Sequence, residues 1–93
     1  MSYELFEHDN VKRFFKKHKN DRELLLRINR KYREISINPH AADFKQLKSI
    51  KCPKCHRARV GNYRIIFYIN DSKRQIEILD IIPRRNDYRF FIF

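Results

Sequence analysis

The chain has 93 residues, 42% hydrophobic and 14% aromatic, with a formal net charge of +11 at neutral pH. That length suits one small domain with a single core, and the apolar content is that of a globular chain rather than a disordered one. No apolar run approaches the ~18 residues of a membrane span. The start, Met1-Ser2-Tyr3-Glu4, lacks the basic and apolar stretches of a signal peptide. A cytoplasmic location without a membrane partner is therefore expected.

The sequence pI of about 10.1 points first to nucleic acid; the alternatives are a merely solvated basic surface, an acidic protein or an anionic membrane surface, the last weakest because no helix reads as strongly amphipathic with a Lys/Arg-lined edge. The distribution sharpens this. No acidic residue falls between Asp43 and Asp71, whereas Lys45, Lys48, Lys51, Lys54, Arg57, Arg59 and Arg64 all do.

In chain order, Tyr3-Glu4-Leu5-Phe6-Glu7 alternates as a short strand does. Asp9 or Asn10 can cap a first helix carrying Val11, Phe14, Phe15 and His18 on one face. Asn20, with Glu23 three residues on, resembles a capping box for a second helix. Leu24, Leu25, Ile28, Tyr32 and Ile35 give that helix an apolar stripe, and Asn38-Pro39 ends it near Ile37. From His40 to Lys54 the pattern weakens, with Phe44, Leu47 and Ile50 as packing anchors under a loop or short strand.

The stretch from His56 to Ile69 reads as a hairpin turning at Gly61-Asn62. Period-2 alternation pairs Val60 with Tyr63, Arg59 with Arg64 and Arg57 with Ile66. It sends Arg57, Arg59 and Arg64 to one face, and Ala58, Val60, Tyr63, Ile65 and Phe67 to the other. Like charges opposite one another on a sheet repel, so this face is either spread in solvent or built for an anion. Residues 75–82 form a third strand of high β-propensity that Pro83 stops, and Phe90-Phe91-Ile92-Phe93 closes the chain as an apolar tail expected to pack on the sheet. The resulting order is β-α-α-β-β-β, an α+β domain over residues 1–93 with an antiparallel sheet covered on one face by two helices.

The run Arg57-Ala58-Arg59-Val60-Gly61-Asn62-Tyr63-Arg64-Ile65-Ile66-Phe67, followed by Ile82-Pro83-Arg84 and Tyr88, resembles the RelE/ParE toxin superfamily, most closely its archaeal RelE-type members. The resemblance covers nearly the whole chain. It implies the toxin of a type II toxin–antitoxin system, cleaving mRNA in the ribosomal A site and neutralised by a RelB-like antitoxin. Contact with operator DNA would be indirect, through the antitoxin. Carried over by motif position, the electrostatic cluster falls on Arg57, Arg59, Arg64 and Arg84, with Arg85 in reserve. Tyr88 matches a C-terminal tyrosine that stacks on a base or takes the 2′-OH proton; Lys51 and Lys54 are expected to contact RNA. The resemblance leaves open a ParE-like gyrase inhibitor without ribonuclease activity, or a non-catalytic RNA-binding module.

Cleavage by 2′-OH attack needs a base for that hydroxyl, cationic donors for the phosphorane-like transition state and charge stabilisation for the leaving oxygen. Arginine meets the second need with a planar, permanently charged fork, so neither a metal nor another cofactor is called for. Arg57 and Arg59 stand where many relatives have lysine, which keeps the charge but removes an amine that could move a proton. A phenol such as Tyr88 is a poor base at neutrality unless nearby guanidiniums stabilise its phenolate. His56 alternates with Arg57 and points to the covered face, which favours a structural role. Cys52-Pro53-Lys54-Cys55-His56 allows half of a zinc site, with Cys52 and Cys55 as weak candidate ligands, or a redox pair. A turn with two incidental thiols is the plainer expectation, because a cytosol is reducing.

Overall fold

The computed structural model describes residues 2–47, 52 and 54–85. Its elements are β1 (Glu4–Glu7), α1 (Asp9–Lys17), α2 (Arg22–Ile37), β2 (Lys45–Gln46), β3 (Cys55–Val60), β4 (Tyr63–Asn70) and β5 (Gln75–Pro83). They form the expected α+β arrangement, with one strand more in the loop after α2. The tail at 90–93, Ile50 and Lys48 lie outside the described residues.

Both helices begin one residue away from the expected cap. His8, in extended conformation, is the N-cap of α1 and makes no side-chain capping bond. Asp9 is already in the first turn, where its charge meets the positive end of the helix dipole. At α2 the cap is Asp21, not Asn20: its Oδ1 accepts from the Leu24 N–H at 3.2 Å. Glu23 thereby sits at N2 rather than at the N3 position of a capping box, still in the first turn of that helix.

The sheet order is β1-β5-β4-β3-β2. Its pairs are antiparallel except β1 with β5, which run parallel with Leu5 opposite Ile76. A parallel pair needs a crossover, and α1 and α2 with the hairpin supply it. The β3–β4 register is the expected one: Val60↔Tyr63, Arg59↔Arg64 and Arg57↔Ile66. Gly61 has a φ of +54°, and Arg74 is the only described non-glycine with positive φ. Positive φ at the first central position alone is the type II′ hairpin pattern, which glycine there satisfies without a Cβ penalty.

Under the helices, Val11, Ile28 and Ile35 pack against Ile65, Phe67, Ile76, Ile78 and Ile81. Each such side chain, fully buried, contributes about 1.5–3 kcal/mol by removal from water. Tyr32 adds a polar tie from α2 to β1, its hydroxyl donating to Glu7 Oε2 at 2.9 Å. Burial first, then the Glu7 carboxylate, pushes the Tyr32 phenol far up.

The opposite face holds a second apolar cluster of Leu47, Cys55, Ile66, Leu79 and Ile82, with Cys52 and Tyr68 against it. It exists because β5 shifts register opposite Ile66/Phe67: Asp80 pairs with Ile66, but Ile78 pairs with Phe67. The extra residue puts Leu79 on the second face while Ile78 and Ile81 stay under the helices.

Candidate nucleic-acid interface

Alternation along β3 and β4, fixed by their register, places Arg57, Arg59, Arg64 and Ile66 on the face away from the helices. Arg59 and Arg64 are direct cross-strand partners, and Arg64 faces Ile82 of β5 on its other side. In the same way Tyr63 is opposite Pro83, the last residue of β5. Proline has no N–H to extend the ladder. The next residue, Arg84, instead turns its N–H onto the Asn62 carbonyl at 2.8 Å. The hairpin turn and the end of β5 are thus held together by main chain.

A concavity of about 630 Å³ opens at this junction, lined by Asn62, Tyr63, Arg64, Pro83, Arg84 and Arg85. Three guanidiniums and no carboxylate line it among the described residues. Arg64 is half-buried, whereas Arg84 and Arg85 are exposed. Such a lining favours an anion, and the fork of each guanidinium suits phosphate oxygens.

The remaining expected cations are distributed differently. Arg57 and Arg59 line a separate concavity of about 320 Å³ with Lys31 of α2 and Lys45 of β2, beside Asp43 and Phe44. Lys45 is the cross-strand partner of Arg57. Its position within the acid-free stretch is the sequence signal that could have singled it out. Lys31 had none, because only the packing of α2 against β3 brings it there. Lys54 lines a third concavity, of about 470 Å³, with His40, His56, Tyr68 and Asp71. Lys51 and Tyr88 lie outside the described residues.

His56 faces the helix side, as its alternation implies, and its ring stacks on Phe67 with centroids 5.7 Å apart. Its Nδ1 is 3.1 Å from the Lys54 carbonyl. Burial lowers its pKa, opposed in part by that hydrogen bond. Near it, Asp71 Oδ1 accepts from Tyr3 Oη at 2.6 Å and lies 2.8 Å from His40 Nε2. These bonds, His40 first, hold the Asp71 carboxyl below the ordinary range, while Tyr3 is raised by its bond to Asp71. This group ties β1, the loop after α2 and the β4–β5 turn together; none of it lines the arginine concavity.

The two cysteines depart from the expectation of incidental thiols. Cys52 and Cys55 are joined by a disulfide, with Cα atoms 5.4 Å apart. No group of three or more metal-ligating side chains occurs among the described residues. No helix of the described residues is long and apolar enough to cross a membrane.

The α+β domain thus presents three guanidiniums at one end of its sheet, around a hollow with no carboxylate in its lining among the described residues. Solved structures that share its fold include RelE toxins and RelE–RelB toxin–antitoxin complexes. The RelBE2 toxin–antitoxin complex of Mycobacterium tuberculosis matches with a TM-score of 0.74 and 23% identity, over 90% of this chain and 100% of that one. The archaeal RelE–RelB complex of Pyrococcus horikoshii OT3 gives 0.75 and 23%, over 94% and 100%. The E. coli toxin RelE, as a mutant in the free state, gives 0.73 and 16%, over 91% and 86%. No protein-family model and no curated protein matches the chain. At these identities the likeness is one of fold: the chain has the RelE fold, as the hairpin motif implied.

Proposed function

We propose that the protein is the toxin of a type II toxin–antitoxin system and acts as a ribosome-dependent endoribonuclease on mRNA in the A site. The observation that carries this reading is the Arg84–Asn62 main-chain bond, which sets Arg84 beside Arg64 in one hollow. The RelE fold, seen in solved complexes with RelB, supports a RelB-like antitoxin as the neutralising partner. In this reading the scissile phosphate enters the hollow, and Arg84 and Arg64 donate to its non-bridging oxygens. Those bonds strengthen as charge accumulates in the pentavalent transition state, which is where donors accelerate the reaction. Arg85 contacts the neighbouring phosphate, and Arg57 and Arg59 hold the strand farther along β3, assisted by Lys51 and Lys54. Tyr88 takes the 2′-OH proton or stacks on the base.

Because guanidiniums supply the positive charge, the mechanism calls on no metal ion. Arginine at 57 and 59 cannot relay protons at neutral pH, so those two residues bind and stabilise only. The test is primer extension on message bound to ribosomes, with and without the purified protein. Stops within the A-site codon that vanish when ribosomes are omitted support the reading. Intact message, or arrest of growth through DNA damage, refutes it.

A further inference from the structure

We infer that Cys52 and Cys55 form a redox-responsive pair, opened by an external dithiol through attack on Cys52, and that its state sets how firmly the β2–β3 edge is held. The pair is asymmetric. Cys55 is 0% exposed within the second apolar cluster, whereas Cys52 packs against that cluster from a partly exposed position. An incoming thiolate therefore meets Cys52 first. It bonds to the Cys52 sulfur while the Cys52–Cys55 bond breaks, and Cys55 leaves as thiolate and takes a proton from solvent. The second thiolate of the reductant then attacks its own sulfur in the mixed disulfide, releasing Cys52. Two electrons and two protons pass to the pair, and the dithiol becomes a disulfide.

A bridge spanning a sequence separation of only 3 restricts the unfolded chain less than a long-loop bridge does. Its leverage is local. The Cys55 carbonyl accepts the Leu47 N–H at 2.8 Å, and the Cys55 N–H donates to the Cys52 carbonyl at 3.1 Å. β2 has two residues, so the Leu47–Cys55 bond is a large part of what docks it on β3. Through β2 the restraint reaches Lys45 and its partner Arg57, which line one concavity. The inference holds whether or not the protein cleaves RNA.

The test uses the full chain purified without reductant and equilibrated in graded dithiothreitol buffers. Alkylation with peptide mass spectrometry is read beside amide hydrogen exchange. The expected result is opening of the pair while the chain stays folded, with the mixed adduct trapped on Cys52. Exchange at the Leu47 and Cys55 amides should rise ~10-fold or more, with that of β4 and β5 unchanged. Cys52→Ser should show the same fast exchange at Leu47 with no reductant present. The inference is overturned if reduction needs denaturant, if the adduct forms on Cys55, or if exchange at Leu47 stays slow in either sample. Zinc copurifying with the chain, both thiols protected by it, would also overturn it.

Discussion

The N–H of Arg84 donates to the carbonyl of Asn62 at 2.8 Å, so the residue that follows β5 is pinned by backbone to the hairpin tip. The contact uses main-chain atoms alone, and Arg84 is exposed. Arg84→Ala should therefore keep its fold, with stability changed by no more than about 0.5 kcal/mol, as for other exposed substitutions. Arg84→Pro removes the donor and should cost about 1 kcal/mol for the lost bond. Urea unfolding of the two variants checks the difference; equal losses would show that the main-chain bond does not matter.

Gly61, at a φ of +54°, makes the same turn possible from the other side. Among the described residues a Cβ built there would meet only the Arg27 guanidinium Nη1, at 3.4 Å, an ordinary contact with a movable group. The cost of Gly61→Val is thus conformational, about 1–2 kcal/mol for a left-handed residue. Gly61→Asn should cost less, because asparagine tolerates that region. Denaturant midpoints for the pair decide it.

The face that carries the arginines is also a core. Ile66 is 0% exposed between Arg64 and Tyr68 on the side away from the helices. Ile66→Ala should destabilise by about 2–5 kcal/mol, the range for deleting a fully buried aliphatic side chain. A loss under 1 kcal/mol would mean that this face is solvated rather than packed.

Acid should weaken the fold in two stages. Burial depresses the His56 pKa, so the unfolded chain binds its proton more readily. Stability from neutral His56 is present above its unfolded value of ~6.5 and is lost as pH falls through the lower folded value. The Asp71 carboxyl is likewise depressed, by His40 and then Tyr3, so its contribution is present above ~4 and disappears below that. Thermal melts from pH 7 to 3 should show both declines. His56→Gln should abolish the first and Asp71→Asn the second; an unaltered profile in either variant would contradict the assignment.

The hairpin was legible because two short-range signals agreed. Gly61-Asn62 named the turn, and strict alternation then fixed every pair from Val60↔Tyr63 to Arg57↔Ile66. The strand after it hid more. Ile78, Leu79, Ile81 and Ile82 read as one apolar run, since nothing in a sequence marks where an extra residue enters a ladder. That bulge divides them between two cores. The parallel docking of β1 on β5 was equally hidden, because no turn joins the two strands. Asp21 replaced Asn20 as cap through a one-residue difference in where the chain turns, and both side chains are competent caps. The arginines were all visible, but their division between two hollows depended on α2 and β2, which bring Lys31 and Lys45 to Arg57 and Arg59. A cysteine spacing alone could not distinguish thiols from the bridge that joins them.

The measurement that tests the central claim most directly compares wild type and Arg84→Ala in cleavage of ribosome-bound message. With the fold intact, loss of a transition-state donor should slow cleavage about 10²–10³-fold. Cleavage at the wild-type rate by a folded Arg84→Ala protein would remove Arg84, and the hollow it shares with Arg64, from the mechanism.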